Sequence, residues 1–105
     1  MSEQSEITSP IKTALEKAGY FVLRIQSGVV RVKGGFMHLA PTGTADLLVF
    51  DGRKPLWVEA KLKGNKTNKK RAADQAEFRD RVLALGHGHV RAESLDDVLE
   101  ALKAS

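Results

Sequence analysis

The chain of 105 residues contains no cysteine. Disulfide bonds and thiolate-held zinc are therefore excluded from the outset. No apolar run approaches the roughly 18 residues that a membrane-spanning helix needs. The N-terminus also lacks the charged-then-apolar layout of a secretion signal, so the expectation is a cytosolic protein. Internal repeats, low-complexity tracts and linker-like stretches are missing as well, which leaves one domain over residues 1–105. Histidine is scarce and poorly placed for a metal. His38, His87 and His89 lack helical ligand spacing and any cysteine partner, so no zinc site is expected. His87 and His89, on either side of Gly88, read as surface residues.

What is present is an ordinary globular composition, with 42% hydrophobic and 29% charged residues. Lys and Arg number 17 against 13 Asp and Glu, a formal net charge of +4. The distribution says more than the total. Lys61, Lys63, Lys66, Lys69, Lys70 and Arg71 form a stretch with no acidic residue. Such a local excess attracts polyanions. Taken in isolation, it is equally compatible with a solvated loop.

Hydrophobic periodicity predicts nine elements. Ser9 as N-cap and Pro10 at the first helical position open a helix that Gly19 ends, with Ile11, Leu15 and Ala18 on one face. Residues 20–25 read as a strand, and residues 29–33 and 36–39 as a hairpin around Gly34-Gly35. Two further strands, 45–50 and 56–62, are joined by a turn through Asp51-Gly52. A basic loop follows, and then a helix over residues 70–85 with Ala72, Gln75, Phe78, Val82 and Leu85 on its inward stripe. Residues 89–92 form a last strand. Ser94 caps the final helix, with Asp97 three residues on and Leu95, Val98, Leu99 and Leu102 buried. The order αβββββαβα predicts an α/β fold with a mixed β-sheet flanked by helices.

On the period of two, Asp46, Leu48 and Phe50 share one face of their strand, and Trp57, Glu59 and Lys61 share one face of theirs. The opposite sides are fully apolar. Pairing through Asp51-Gly52 brings the start of one strand beside the end of the other, so Asp46 is expected next to Glu59 and Lys61. Charges gathered at a sheet edge must pair, bind a metal or face solvent. A solvated salt bridge is the plain alternative for a lone acid-x-Lys. The chemical reading is a site in which Asp46, Glu59 and the Ala60 carbonyl hold Mg²⁺ or Mn²⁺ through oxygen. Lys61 then either orients a water or stabilises developing negative charge.

The segments GTADLLVF and VEAKLK, followed by a basic loop and a helix bearing Gln75, resemble the PD-(D/E)xK nuclease superfamily. Within it they are most similar to the VRR-NUC group, as small stand-alone domains of phages and bacteria. The resemblance covers most of the chain, through Gly86-His87-Gly88 and Ser94-Leu95-Asp96-Asp97. It implies a restriction-endonuclease-like core and divalent-metal-dependent DNA cleavage. It also implies a homodimer similar to Holliday-junction resolvases, acting on branched or flapped DNA in the cytoplasm, the host's if the chain is phage-encoded. Position by position, Asp46 and Glu59 are then metal ligands, Lys61 is the catalytic lysine and Gln75 lies on the active-site side of its helix. Glu6 would be the acidic residue near the N-terminus that some members use in metal or water binding. Here the sequence departs from the family, because Ser9-Pro10 reads as the helix start and leaves Glu6 outside. Ala45 also stands where the family commonly has proline.

The leading expectation is an endonuclease selective for DNA structure, its affinity supplied by phosphate contacts from Lys63, Lys66, Lys69, Lys70 and Arg71. The alternative is a non-catalytic DNA-binding module that keeps the fold. The hairpin carrying Arg24, Arg31, Lys33 and Phe36 suits either a DNA backbone or a dimer contact.

Overall fold

A computed structural model describes residues 7–26, 29–40, 43–61 and 69–104. The elements follow the expected order: α1 (Ser9–Lys17), β1 (Phe21–Arg24), β2 (Val29–Val32), β3 (Gly35–His38), β4 (Leu47–Phe50), β5 (Leu56–Ala60), α2 (Lys69–Ala84), β6 (Gly88–Ala92) and α3 (Leu95–Ala104). The fold is mixed α/β. Four strands form one sheet in the order β1-β4-β5-β6, and β2-β3 stand apart as a two-stranded hairpin. β1, β4 and β5 are antiparallel neighbours, whereas β6 joins β5 in parallel after the excursion through α2. A parallel neighbour needs such a crossover, because a tight turn reverses the chain.

Alternation along the strands sorts the sheet into two unlike faces. Val22, Leu47, Val49, Leu56, Val58, Ala60 and Ala92 point one way and pack with Ile11 and Leu15 of α1 and Val98 and Leu102 of α3 in the main core. The other face carries Trp57 and His89, and Phe78 of α2 packs on both. No described helix is long and apolar enough to cross a membrane.

Three expectations about elements change. Ser9 is not the N-cap: Thr8 holds that position in helical geometry without a side-chain cap bond, and Ile7 and Thr8 already wind as a π turn. Ile7 is 7% exposed and belongs to the core, so its burial draws the chain into helix one turn earlier than the cap signal indicates. Pro10 is tolerated because its missing N–H falls among the unpaired donors of the first turn. The predicted inward stripe of α2 is also shorter than expected. Val82 is buried and Gln75 and Phe78 are half-buried, but Ala72 is exposed and Leu85 lies beyond the helix, 74% exposed. A helix of 16 residues runs about 24 Å, whereas a strand of five residues spans about 17 Å. The helix is therefore longer than the strand it packs on. Lastly, α3 begins at Leu95 directly after Ser94, as expected, but Asp97 Oδ2 accepts the N–H of Glu93 at 2.8 Å.

Candidate active site

Asp46 precedes β4 by one residue, yet its main chain already follows the sheet. Its N–H donates to the Val58 carbonyl at 3.0 Å and its carbonyl accepts the Ile25 N–H at 2.8 Å. Leu47 lies opposite Val58, and the Asp46 N–H bonds that same residue, one position before Glu59. The Asp46 side chain reaches the neighbouring strand, where Oδ2 accepts the Ala60 N–H at 2.8 Å. The Lys61 N–H points the other way, to the Ala92 carbonyl at 2.9 Å. Alternation along the strand therefore directs the Ala60 carbonyl toward Asp46 too.

Glu59 lies on the α2 side of β5 and is 4% exposed. Its Oε1 accepts a hydrogen bond of 2.6 Å from Gln75 Nε2, and its Oε2 is shielded from solvent. Lys61, two residues on, is 7% exposed. Enclosing a carboxylate and an ammonium is unfavourable unless each is neutralised or hydrogen-bonded. A solvated salt bridge on an open strand face does not describe residues so enclosed. The helix supplies the amide, and the two central strands supply the acids and the lysine.

Among the described residues no cluster of three or more His, Cys, Asp or Glu side chains forms. The oxygen donors are the carboxylates of Asp46 and Glu59 and the Ala60 carbonyl. Such a hard, incomplete set suits a divalent cation that keeps several waters, as Mg²⁺ does, and does not suit zinc. Lys69, Lys70 and Arg71 form the exposed first turn of α2, which contains no acidic residue. Glu6, Lys63 and Lys66 lie outside the described residues.

Three residues around the site carry more than sequence reasoning assigned them. Arg91 is the parallel partner of Glu59, on the same face one strand over, and is exposed. Its alternation with His89 and the buried Ala92 would have shown its face, but nothing local names β5 as its neighbour. His87 and His89 are not surface residues, because both are half-buried against the α2 face. His87 Nδ1 accepts the Trp57 indole N–H at 3.1 Å, and His89 packs beside Phe78. Burial and the nearby Arg79 hold the His89 pKa below the ordinary histidine value. A tryptophan in a half-buried strand usually finds an acceptor for its N–H, and that was the available signal for His87.

No protein-family model matches the chain, and a comparison with curated proteins found no match.

Proposed function

We propose that this chain is a divalent-metal-dependent DNA endonuclease of the VRR-NUC type, with a restriction-endonuclease-like core of the PD-(D/E)xK superfamily. Its substrate is branched, flapped or junction DNA, chosen by structure and not by base sequence. The observation that supports this reading is the bond from the Ala60 N–H to Asp46 Oδ2, made between Glu59 and Lys61, both of them buried. Asp46, Glu59 and the Ala60 carbonyl would hold Mg²⁺ or Mn²⁺. The cation, when bound, supplies charge neutralisation and a more acidic water. The chain's own residues do the rest. Gln75 fixes the Glu59 carboxylate through Oε1, the Ala60 N–H fixes the Asp46 carboxylate through Oδ2, and Lys61 brings a cation to the phosphate as charge develops on its oxygens.

The first turn of α2 supports a nucleic-acid partner. Lys69 and Lys70 sit at the positive end of the helix dipole, where cations are unfavourable until an anion neutralises them, and Arg71 adds to the local positive charge. In this reading Lys63 and Lys66 extend the same phosphate contact, and Glu6 joins the site from the N-terminal side. The proposal includes a cytoplasmic homodimer. Its support is the β2-β3 hairpin, which leaves Val32, Phe36 and Met37 exposed.

The test is a panel of labelled flap, fork, four-way junction and linear duplex DNAs with Mg²⁺, Mn²⁺ or EDTA, run beside Lys61→Ala. The expected result is metal-dependent cutting of at least one branched DNA. Lys61→Ala should slow it by about 100-fold or more while DNA binding persists. A wild type that binds these DNAs but cuts none with Mn²⁺ would leave a non-catalytic DNA-binding module in place of the enzyme.

A further inference from the structure

A groove of about 550 Å³ opens between the sheet and α2, with Ile25, Trp57, Phe78 and Leu85 among its walls and Asp74 and Glu77 as its acids. That volume lies in the range of pockets that hold small organic molecules, about 300–1,000 Å³. The groove lies on the α2 side of the sheet, the side on which Gln75 bonds Glu59. Trp57 precedes Glu59 by two residues on the same strand face, and Asp74 and Phe78 flank Gln75 on α2. We propose that this groove is a subsite for an unpaired nucleobase, so that the preferred substrate carries single-stranded nucleotides next to the bond that is cut. The inference rests on the nuclease reading above and narrows it.

The aromatic wall is held in place. The Trp57 indole N–H is tied to His87 Nδ1 at 3.1 Å, and Phe78 meets the indole edge-on, with ring centroids 5.0 Å apart at 84°. A fixed aromatic face is what a base stacks upon, whatever its identity. At the mouth, Leu85 is 74% exposed, an apolar side chain that no core packing explains. The charges then decide which part of a nucleotide enters. Arg81 pairs with Glu77 at 3.0 Å, and Asp74 is the second acid among the lining residues. A carboxylate repels phosphate and accepts the exocyclic amino group of adenine, cytosine or guanine. The base therefore goes in, and its phosphates stay outside toward Lys61 and the cations of the first turn of α2. A paired base is confined to its stack and cannot enter without being extruded. A flap or fork offers such a base at no cost, whereas a fully paired four-way junction does not.

Trp57 is the only tryptophan of the chain, so its emission reports on the groove. The experiment titrates the full-length protein, in EDTA to prevent cutting, with end-labelled single-stranded oligonucleotides of mixed adenine and cytosine, with oligothymidylate, and with a blunt duplex. Trp57 fluorescence and the anisotropy of the label are read together. The expected result is saturable quenching by the adenine-cytosine strand, less by oligothymidylate, which lacks an exocyclic amine, and none by the duplex. Leu85→Glu, at an exposed position, should weaken single-strand binding by roughly tenfold and leave duplex binding unchanged. Single-strand binding with unchanged Trp57 emission overturns the subsite, as does equal affinity in Leu85→Glu. Repeating the cleavage panel with Mn²⁺ separates the two readings. Cutting without any Trp57 response removes the subsite and keeps the nuclease. Quenching with no cutting of any DNA removes the nuclease and keeps the base-binding groove.

Discussion

Gly43 links the strand that carries Asp46 to the helix that carries Gln75. It has φ of +96°, and a Cβ built there would stand 2.5 Å from the Asp74 carbonyl carbon and oxygen. Any side chain must therefore push α2 away from the loop before β4. Gly43→Ala is expected to destabilise the fold by about 2 kcal/mol or more, from strain and displacement together, measured by urea unfolding. If the proposed nuclease reading holds, the same displacement should lower Mn²⁺-dependent cleavage. Gln75 presents a second residue-scale prediction. It donates to a buried carboxylate, so Gln75→Ala should lower stability by roughly 1–3 kcal/mol and weaken Mn²⁺ binding in calorimetry. Unchanged stability and Mn²⁺ affinity would mean that Gln75 does not hold Glu59 in place. Asp46, Glu59, Lys61 and Gln75 were all legible as candidates, because strand and helix periodicity place each on a face. Arg91 and His87 were not. Their relevance comes from neighbours 32 and 30 positions away, Glu59 and Trp57.

At the scale of elements, α2 lies over β5 and β6, and His89 is the titratable group between them. Burial lowers its pKa from the ordinary 6.5, with Arg79 adding to the effect. Folding thus holds His89 neutral, while the unfolded chain takes up a proton near pH 6.5. The stability contributed by the neutral ring is present above that value and is lost as pH falls through 6.5 and below. Urea unfolding at pH 7.5, 6.5 and 5.5 should show this loss in the wild type, at a slope below about 1.4 kcal/mol per pH unit for one proton. His89→Phe should flatten the slope. An equal slope in both proteins would assign the loss to other groups. The order of elements was legible because glycines and turn residues punctuate clear periods of two and 3.6. The start of α1 was not, because Ile7 is drawn in by the core and the cap signal at Ser9-Pro10 is purely local. The bounds of α2 were legible, but not how much of its inward stripe is buried, since its sequence does not contain the length of the sheet beneath it.

At the scale of the molecule, the β2-β3 hairpin forms a sheet of its own, with Phe36 69% and Met37 50% exposed. Exposed apolar clusters of this kind mark contact surfaces. In the proposed homodimer Phe36 belongs to the interface. Phe36→Asp should then shift sedimentation from dimer to monomer with an unchanged circular dichroism spectrum. A wild type that sediments as a monomer at all concentrations would remove the dimer from the proposal.

The sequence by itself determined which residues are apolar on which face, hence the α/β class, the order of the elements and the gathering of Asp46, Glu59 and Lys61 at one end of a hairpin. These follow from local chemistry: side-chain alternation, turn residues and the short connection between β4 and β5. Only the tertiary structure decided that β6 lies parallel to β5, that α2 packs over β5 and β6 and that a groove with aromatic walls opens between α2 and the sheet. Periodicity states which side of a strand avoids water. It carries no information about which distant strand or helix will cover that side, and the surroundings of Glu59 and Trp57 depend on that choice.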